Sequence, residues 1–110
     1  MPRQSRNTES YRENLLESLR EPEQAAQYLS ACLEDDDPRV FLLALRDVAD
    51  AHGGIQSVSR QASLNRESLY RMLSKRGNPS LESLAAVLDA CGLRLAIHAA
   101  RPKRGKRRAA

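Results

Sequence analysis

A chain of 110 residues with 41% hydrophobic side chains supplies a single hydrophobic core and leaves no room for a second independent domain. Aromatic residues make up 4% and Trp is absent, so that core is built from Leu, Ala and Val, which favours packed helices over a sandwich of strands. The formal charge of +4 is unevenly spread: residues 1–50 hold six Lys or Arg against eleven Asp or Glu, and residues 51–110 hold twelve against three.

Residues 1–9 are polar and aperiodic and are expected to be disordered, ahead of one helical domain over residues 10–100. Tyr11, Leu15, Leu16 and Leu19 mark a first amphipathic helix, which Pro22 ends because a residue before proline is driven away from helical geometry. Pro22 also suits the first turn of a second helix, whose stripe is Ala25, Ala26, Leu29, Cys32 and Leu33. The run Asp35, Asp36, Asp37, Pro38 is a break and a start signal together, since Asp caps free backbone amides and Pro fits the first turn. The third helix, about Arg39 to Ala51, carries Phe41, Leu42, Leu43, Leu45, Val48 and Ala49 and is expected at the centre of the core. Gly53 and Gly54 close it.

Two short helices across a tight turn come next, a helix-turn-helix at 53–76. Asn65 is placed to cap the second helix, while Leu64 before it faces Leu69 within it, a hydrophobic staple. Val58, Ala62, Leu64, Leu69, Met72 and Leu73 form the inner face, which leaves Arg66, Glu67, Tyr70 and Arg71 outside. Ser80 caps a last helix with Leu81, Leu84, Ala85, Leu88 and Cys91 in register, ended by Gly92.

The period then changes from helical to two. Leu93, Leu95, Ile97 and Ala99 alternate with Arg94, Ala96 and His98 as one β-strand would, and a lone strand needs a partner for its backbone. A homodimer paired through Leu93, Leu95 and Ile97 is the expectation, and an extended tail over its own core is the alternative. Residues 101–110 hold six basic side chains with a Pro and a Gly, a disordered basic tail able to follow a phosphate backbone or simply to be solvated.

Cys32 and Cys91 lie on apolar stripes and imply buried thiols, not a disulfide framework. His52 and His98 are isolated, no metal-ligand spacing occurs, and capping accounts for the acidic cluster, so neither an enzyme, a metal nor a cofactor is expected. With no apolar run of the ~18 residues that a membrane helix needs and no signal core in MPRQSRNTES, no membrane association is expected and a cytoplasmic location is.

From LREPEQAAQYL through LEDDDPRVFLLALRDVADAHGG to SLNRESLYRMLSKRGNPSLESLAAVLDACGLRLAI, about residues 19–97, the chain resembles the addiction-module antidote proteins, HigA-like antitoxins of type II toxin–antitoxin pairs with a lambda-repressor (Xre-type) helix-turn-helix. The resemblance implies an all-α fold, a five-helix lambda-repressor-like DNA-binding domain, here with the C-terminal strand used in dimerisation. It implies a prokaryotic protein that binds double-stranded operator DNA, represses its own operon and neutralises a RelE/ParE-like ribonuclease toxin. Carried over by position, Arg66, Glu67, Tyr70 and Arg71 face base edges, while Gln56, Ser57, Lys75, Arg76, Gly77 and Asn78 contact phosphates. An exposed Arg is as commonly a phosphate contact as a base reader, so both roles stay open for Arg66 and Arg71. Two positions depart from the pattern: Ser59 stands where Ala is usual, and Ser63 where the turn usually has Gly. A lone repressor without a toxin, and a helical adaptor that has lost DNA binding, are the alternative functions.

Overall fold

The computed structural model describes residues 2–100, with side chains from residue 9 onward. Among the described residues there are six α-helices and no strand: α1 (Pro2–Ser18), α2 (Pro22–Leu33), α3 (Pro38–Ala51), α4 (Gly54–Ala62), α5 (Arg66–Met72) and α6 (Leu81–Ala90). The expected five-helix count is therefore corrected to six. The basic tail expected over 101–110 lies outside the described residues.

Local chemistry sets most of these boundaries. Pro22 and Pro38 open α2 and α3, where their missing N–H costs no helical hydrogen bond. Side-chain oxygens satisfy otherwise unpaired N-terminal amides in three helices: Asp37 accepts from the Arg39 N–H, Asn65 from Glu67 and Ser68, and Ser80 from Ser83. Asp35 accepts from the Asp37 N–H, so two acids of the cluster are occupied in shaping the corner before α3. The first helix begins at Pro2, well ahead of the residues where its apolar periodicity starts.

Helix α3 is the central element, as its sequence pattern predicts. It packs against α1, α2 and α4, and α4 in turn packs against α5 and α6. Phe41, Leu42, Ala44, Leu45, Val48 and Ala49 of α3 are all buried. The larger of these side chains contribute about 1.5–3 kcal/mol each by leaving water. Leu19, Ala25, Leu29, Val58, Leu69, Met72, Leu73, Val87, Leu88 and Cys91 complete the cluster.

Asp47 of α3 ties the acidic helices down. Its carboxylate accepts from Arg12 of α1 at 3.1 Å and from the Tyr28 hydroxyl of α2 at 2.9 Å, while Arg12 also reaches Asp50 at 2.8 Å. Burial, together with the bond to Asp47, pushes the Tyr28 phenol well above its ordinary range. Cys32 and Cys91 are both free thiols. Burial pushes the Cys91 thiol up to about 11.

The residues that stray from their expected faces are at stripe edges. Tyr11 is 70% exposed, Leu33 60% and Leu81 73%, while Ala44 and Val87, which the stripes omit, are buried. Residues 93–100 form no strand, which corrects the expected C-terminal β-strand. The reason is the one that made a lone strand informative: a single chain offers this segment no backbone partner. Leu93 packs on the core, and the segment beyond it runs beside α2, leaving an open groove of about 460 Å³ lined by Leu33, Phe41, Leu93 and Leu95 among others.

Candidate nucleic-acid interface

The α4–α5 unit is held together by its turn. Ser63 ends α4 at φ 58°, the one non-glycine residue at positive φ among the described residues. The Ser63 N–H donates to the Arg60 carbonyl at 3.3 Å and the Leu64 N–H to the Ser59 carbonyl at 2.8 Å, so the last carbonyls of α4 are satisfied within the turn. The turn thus keeps the left-handed geometry for which Gly is usual, with Ser in its place. Ser59, the other departure, is buried, and its hydroxyl donates to the Gln56 carbonyl at 2.8 Å. A small side chain fits there, and its one polar group has a partner.

Asn65 then starts α5, its Oδ1 accepting from Glu67 at 2.8 Å and Ser68 at 3.1 Å. Leu69 and Leu73 are fully buried and Met72 nearly so, and Leu64 packs against the same cluster. With its apolar side fixed inward, α5 presents Arg66, Glu67, Tyr70 and Arg71 to solvent. Tyr70 is 53% exposed, so its ring is not a core side chain. The four expected base-facing residues therefore share one exposed surface.

The residues expected at phosphates divide. Gln56 is exposed at the start of α4, with Ser57 half-buried beside it, and Lys75, Arg76 and Asn78 are exposed in the loop after α5. Gly77 is different: its N–H donates to the Ser74 carbonyl at 3.0 Å, and a Cβ at this position would overlap the Met72 carbonyl. Its need for glycine is steric, because the loop passes hard against the end of α5. Over residues 54–79 there are five Lys or Arg and one Glu, a field suited to a polyanion.

One residue on this surface is not legible in the sequence. Arg46 of α3 donates from Nη2 to the Tyr70 hydroxyl at 2.9 Å, and its Cζ lies 4.5 Å from the centre of the Tyr70 ring. The two are 24 residues apart, and no local pattern connects them.

The family whose sequence model matches residues 9–99 is described as "Probable addiction module antidote protein". That match covers most of the chain. The protein belongs to the addiction-module antidote family. A Haemophilus influenzae relative of this antidote, described only as an "uncharacterized protein", is 32% identical over 88 residues, covering 80% of this chain and 90% of that one. No solved structure matches the antidote. An antidote acts on a toxin, and the family is not an enzymatic one. No helix of the described residues is long and apolar enough to cross a membrane.

Proposed function

We propose that this antidote binds operator DNA sequence-specifically as a homodimer, represses the operon that encodes it, and neutralises a RelE/ParE-like ribonuclease. The observation that carries the DNA-binding part is the exposed face of α5. A capped helix, buried through Leu69, Met72 and Leu73, offers Arg66, Tyr70 and Arg71 together, with Lys75 and Arg76 at its end. Such a face fits the major groove, with the side chains reading base edges and the flanking cations on phosphates. In a dimer the two copies of α5 would enter successive grooves about 34 Å apart.

Binding of the chain to its own promoter, followed by fluorescence anisotropy between about 50 and 200 mM salt, tests this reading. Affinity should fall steeply with salt and exceed that for a scrambled duplex. Equal, salt-insensitive binding of both would defeat it and favour an adaptor role.

The acidic helices α1 and α2 are the proposed toxin surface. Removing them is not a clean test, because Leu19, Ala25 and Leu29 belong to the core. Glu13, Glu17 and Glu23 are exposed, so reversing all three to Lys leaves the core alone. Co-purification with the product of the adjacent gene should then be lost. Retention of that product by the triple variant would place the toxin elsewhere.

A further inference from the structure

Arg46 lies on a helix whose pattern assigns that helix to the core, yet its guanidinium is directed at the exposed face of α5. Among the described residues it makes no ion pair, and Tyr70 is its hydrogen-bonding partner. The contact has two parts that act on the same ring. The guanidinium lies over the ring, 4.5 Å from centroid to Cζ, and Nη2 donates to the hydroxyl oxygen at 2.9 Å. The first fixes the plane of the ring, and the second fixes where its oxygen sits.

The donation also decides what the hydroxyl has left to offer. A phenol is one donor and an acceptor, whereas a guanidinium can only donate. With Arg46 supplying a hydrogen to Oη, the phenol's own proton is free to point away from the protein. Tyr70 stands one helical turn beyond Arg66, on the flank of the exposed face that borders α3, and remains 53% exposed. Its outward partner is therefore a hydrogen-bond acceptor met by that face.

We propose that Arg46 is a positioning residue for DNA recognition. It holds Tyr70 in place before DNA arrives and reserves the Tyr70 hydroxyl as a donor to an acceptor on a base edge in the major groove, a purine N7, a guanine O6 or a thymine O4. This rests on the reading of α5 as the DNA-reading helix and names a further determinant of its specificity. A ring already immobilised loses little freedom on binding, so the benefit appears on the operator and not on arbitrary DNA.

The test uses the full chain, its own promoter fragment and a scrambled duplex of the same composition, titrated across a range of salt. The variants are R46M, R46K, Y70F and the R46M/Y70F double, with R46Q repeating the first should R46M fold poorly. R46M is expected to weaken promoter binding by about two- to tenfold, the scale of one hydrogen bond, with the scrambled duplex and the salt slope unchanged. Y70F, which removes the donor itself, should lose at least as much, and the double variant should be no worse than Y70F alone, because Arg46 acts through the Tyr70 hydroxyl. R46K keeps the charge but not the planar fork and should not restore affinity. Thermal midpoints should stay close to that of the unmodified chain.

Two results overturn the proposal while leaving α5 as the DNA reader. In one, R46M weakens both duplexes alike and flattens the salt slope, which makes Arg46 a phosphate contact. In the other, the losses from R46M and Y70F add, which makes the two residues independent. If the unmodified chain already fails to prefer its promoter, the reading of α5 itself has failed, and the role of Arg46 with it.

Discussion

Helices α4 and α6 terminate by the same backbone arrangement. A residue at positive φ, Ser63 at 58° in one and Gly92 at 79° in the other, precedes a leucine whose N–H reaches back five residues. Leu64 donates to the Ser59 carbonyl and Leu93 to the Leu88 carbonyl, each at 2.8 Å, and both leucines pack against the core. Beyond these leucines the two endings diverge. After Leu64 comes Asn65, whose side chain caps a new helix. After Leu93 come Arg94, Leu95, Ala96 and Ile97, with no cap and no strand partner, and the chain leaves the core. A helix ending specifies where the chain turns, and the next residue's side chain specifies whether anything begins.

Breaking the core under the first ending should have the largest effect. Leu69→Ala leaves a cavity beneath the turn and is expected to cost about 2–5 kcal/mol by urea denaturation. Leu93→Ala, at a half-buried position, should cost clearly less. Equal losses would mean that the two endings are anchored alike and that the contrast between them is superficial.

Exchanging the residues at positive φ separates conformation from packing. Left-handed geometry costs an ordinary residue about 1–2 kcal/mol and glycine almost nothing. Ser63→Gly should therefore stabilise the chain and Gly92→Ala destabilise it, each by about 1 kcal/mol. Nothing lies within 4 Å of a Cβ placed at Gly92, so the loss there is conformational and not steric. In the double variant the two changes should nearly cancel. A Ser63→Gly variant no more stable than the parent would show that the turn carries no strain.

Asn65→Ala removes what distinguishes the first ending from the second. Two amides lose their acceptor, and the expected cost is about 1 kcal/mol. Promoter binding should fall further than this suggests, because fraying would begin at Arg66.

How much of each region is legible in the sequence depends on the range of the interactions involved. The caps at Asp37, Asn65 and Ser80 and the ends at Gly53 and Gly92 are legible because each depends on residues within a few positions. Stripe edges are not. Leu81 and Leu33 repeat at the right spacing yet face solvent, while Val87 and Ala44 are buried, because packing against a neighbour and not periodicity chooses which flank is covered. The alternation of Leu93, Leu95 and Ile97 has the period of a strand, but alternation describes side-chain faces and cannot supply the second strand that a ladder requires. Of the candidate site, the exposed face of α5 is implied by its buried side, whereas Arg46 reaches Tyr70 only through the packing of the domain. The glycine usual at the position of Ser63 points to a left-handed turn, but that Ser63 keeps this conformation is not legible, because serine does not favour it by itself.

The pH response of the cap at Asp37 is smaller and has a definite sign. The Arg39 side chain, and then its backbone N–H, hold the Asp37 carboxyl below its ordinary range. With a folded pKa lower than the unfolded one, the stability from this cap is present above the unfolded value and is lost as pH falls through the folded one. An NMR titration of the Asp37 carboxyl should show the depressed value, and Arg39→Ala should raise it toward normal while the backbone bond remains.

The least effect on the folded chain is expected at Ile97, and the most informative one on its association. Ile97 is 98% exposed, so its apolar surface contributes almost nothing to the core of one copy, whereas Leu95, at 41%, is partly covered where it lines the groove beside α2. Ile97→Asp should accordingly change the stability of the isolated chain by no more than about 0.5 kcal/mol. A homodimer that covers this segment would respond quite differently, since burying one such side chain is worth about 1.5–3 kcal/mol and the charge must now be desolvated as well. Sedimentation equilibrium distinguishes the cases: the parent chain should dimerise at micromolar concentration, and the variant should remain monomeric with an unchanged midpoint at high dilution. A variant that dimerises as well as the parent would place the interface elsewhere and leave residues 94–100 an ending after which nothing begins. If association is lost, the second copy supplies for Leu95 and Ile97 the apolar cover that Leu64 finds within its own chain.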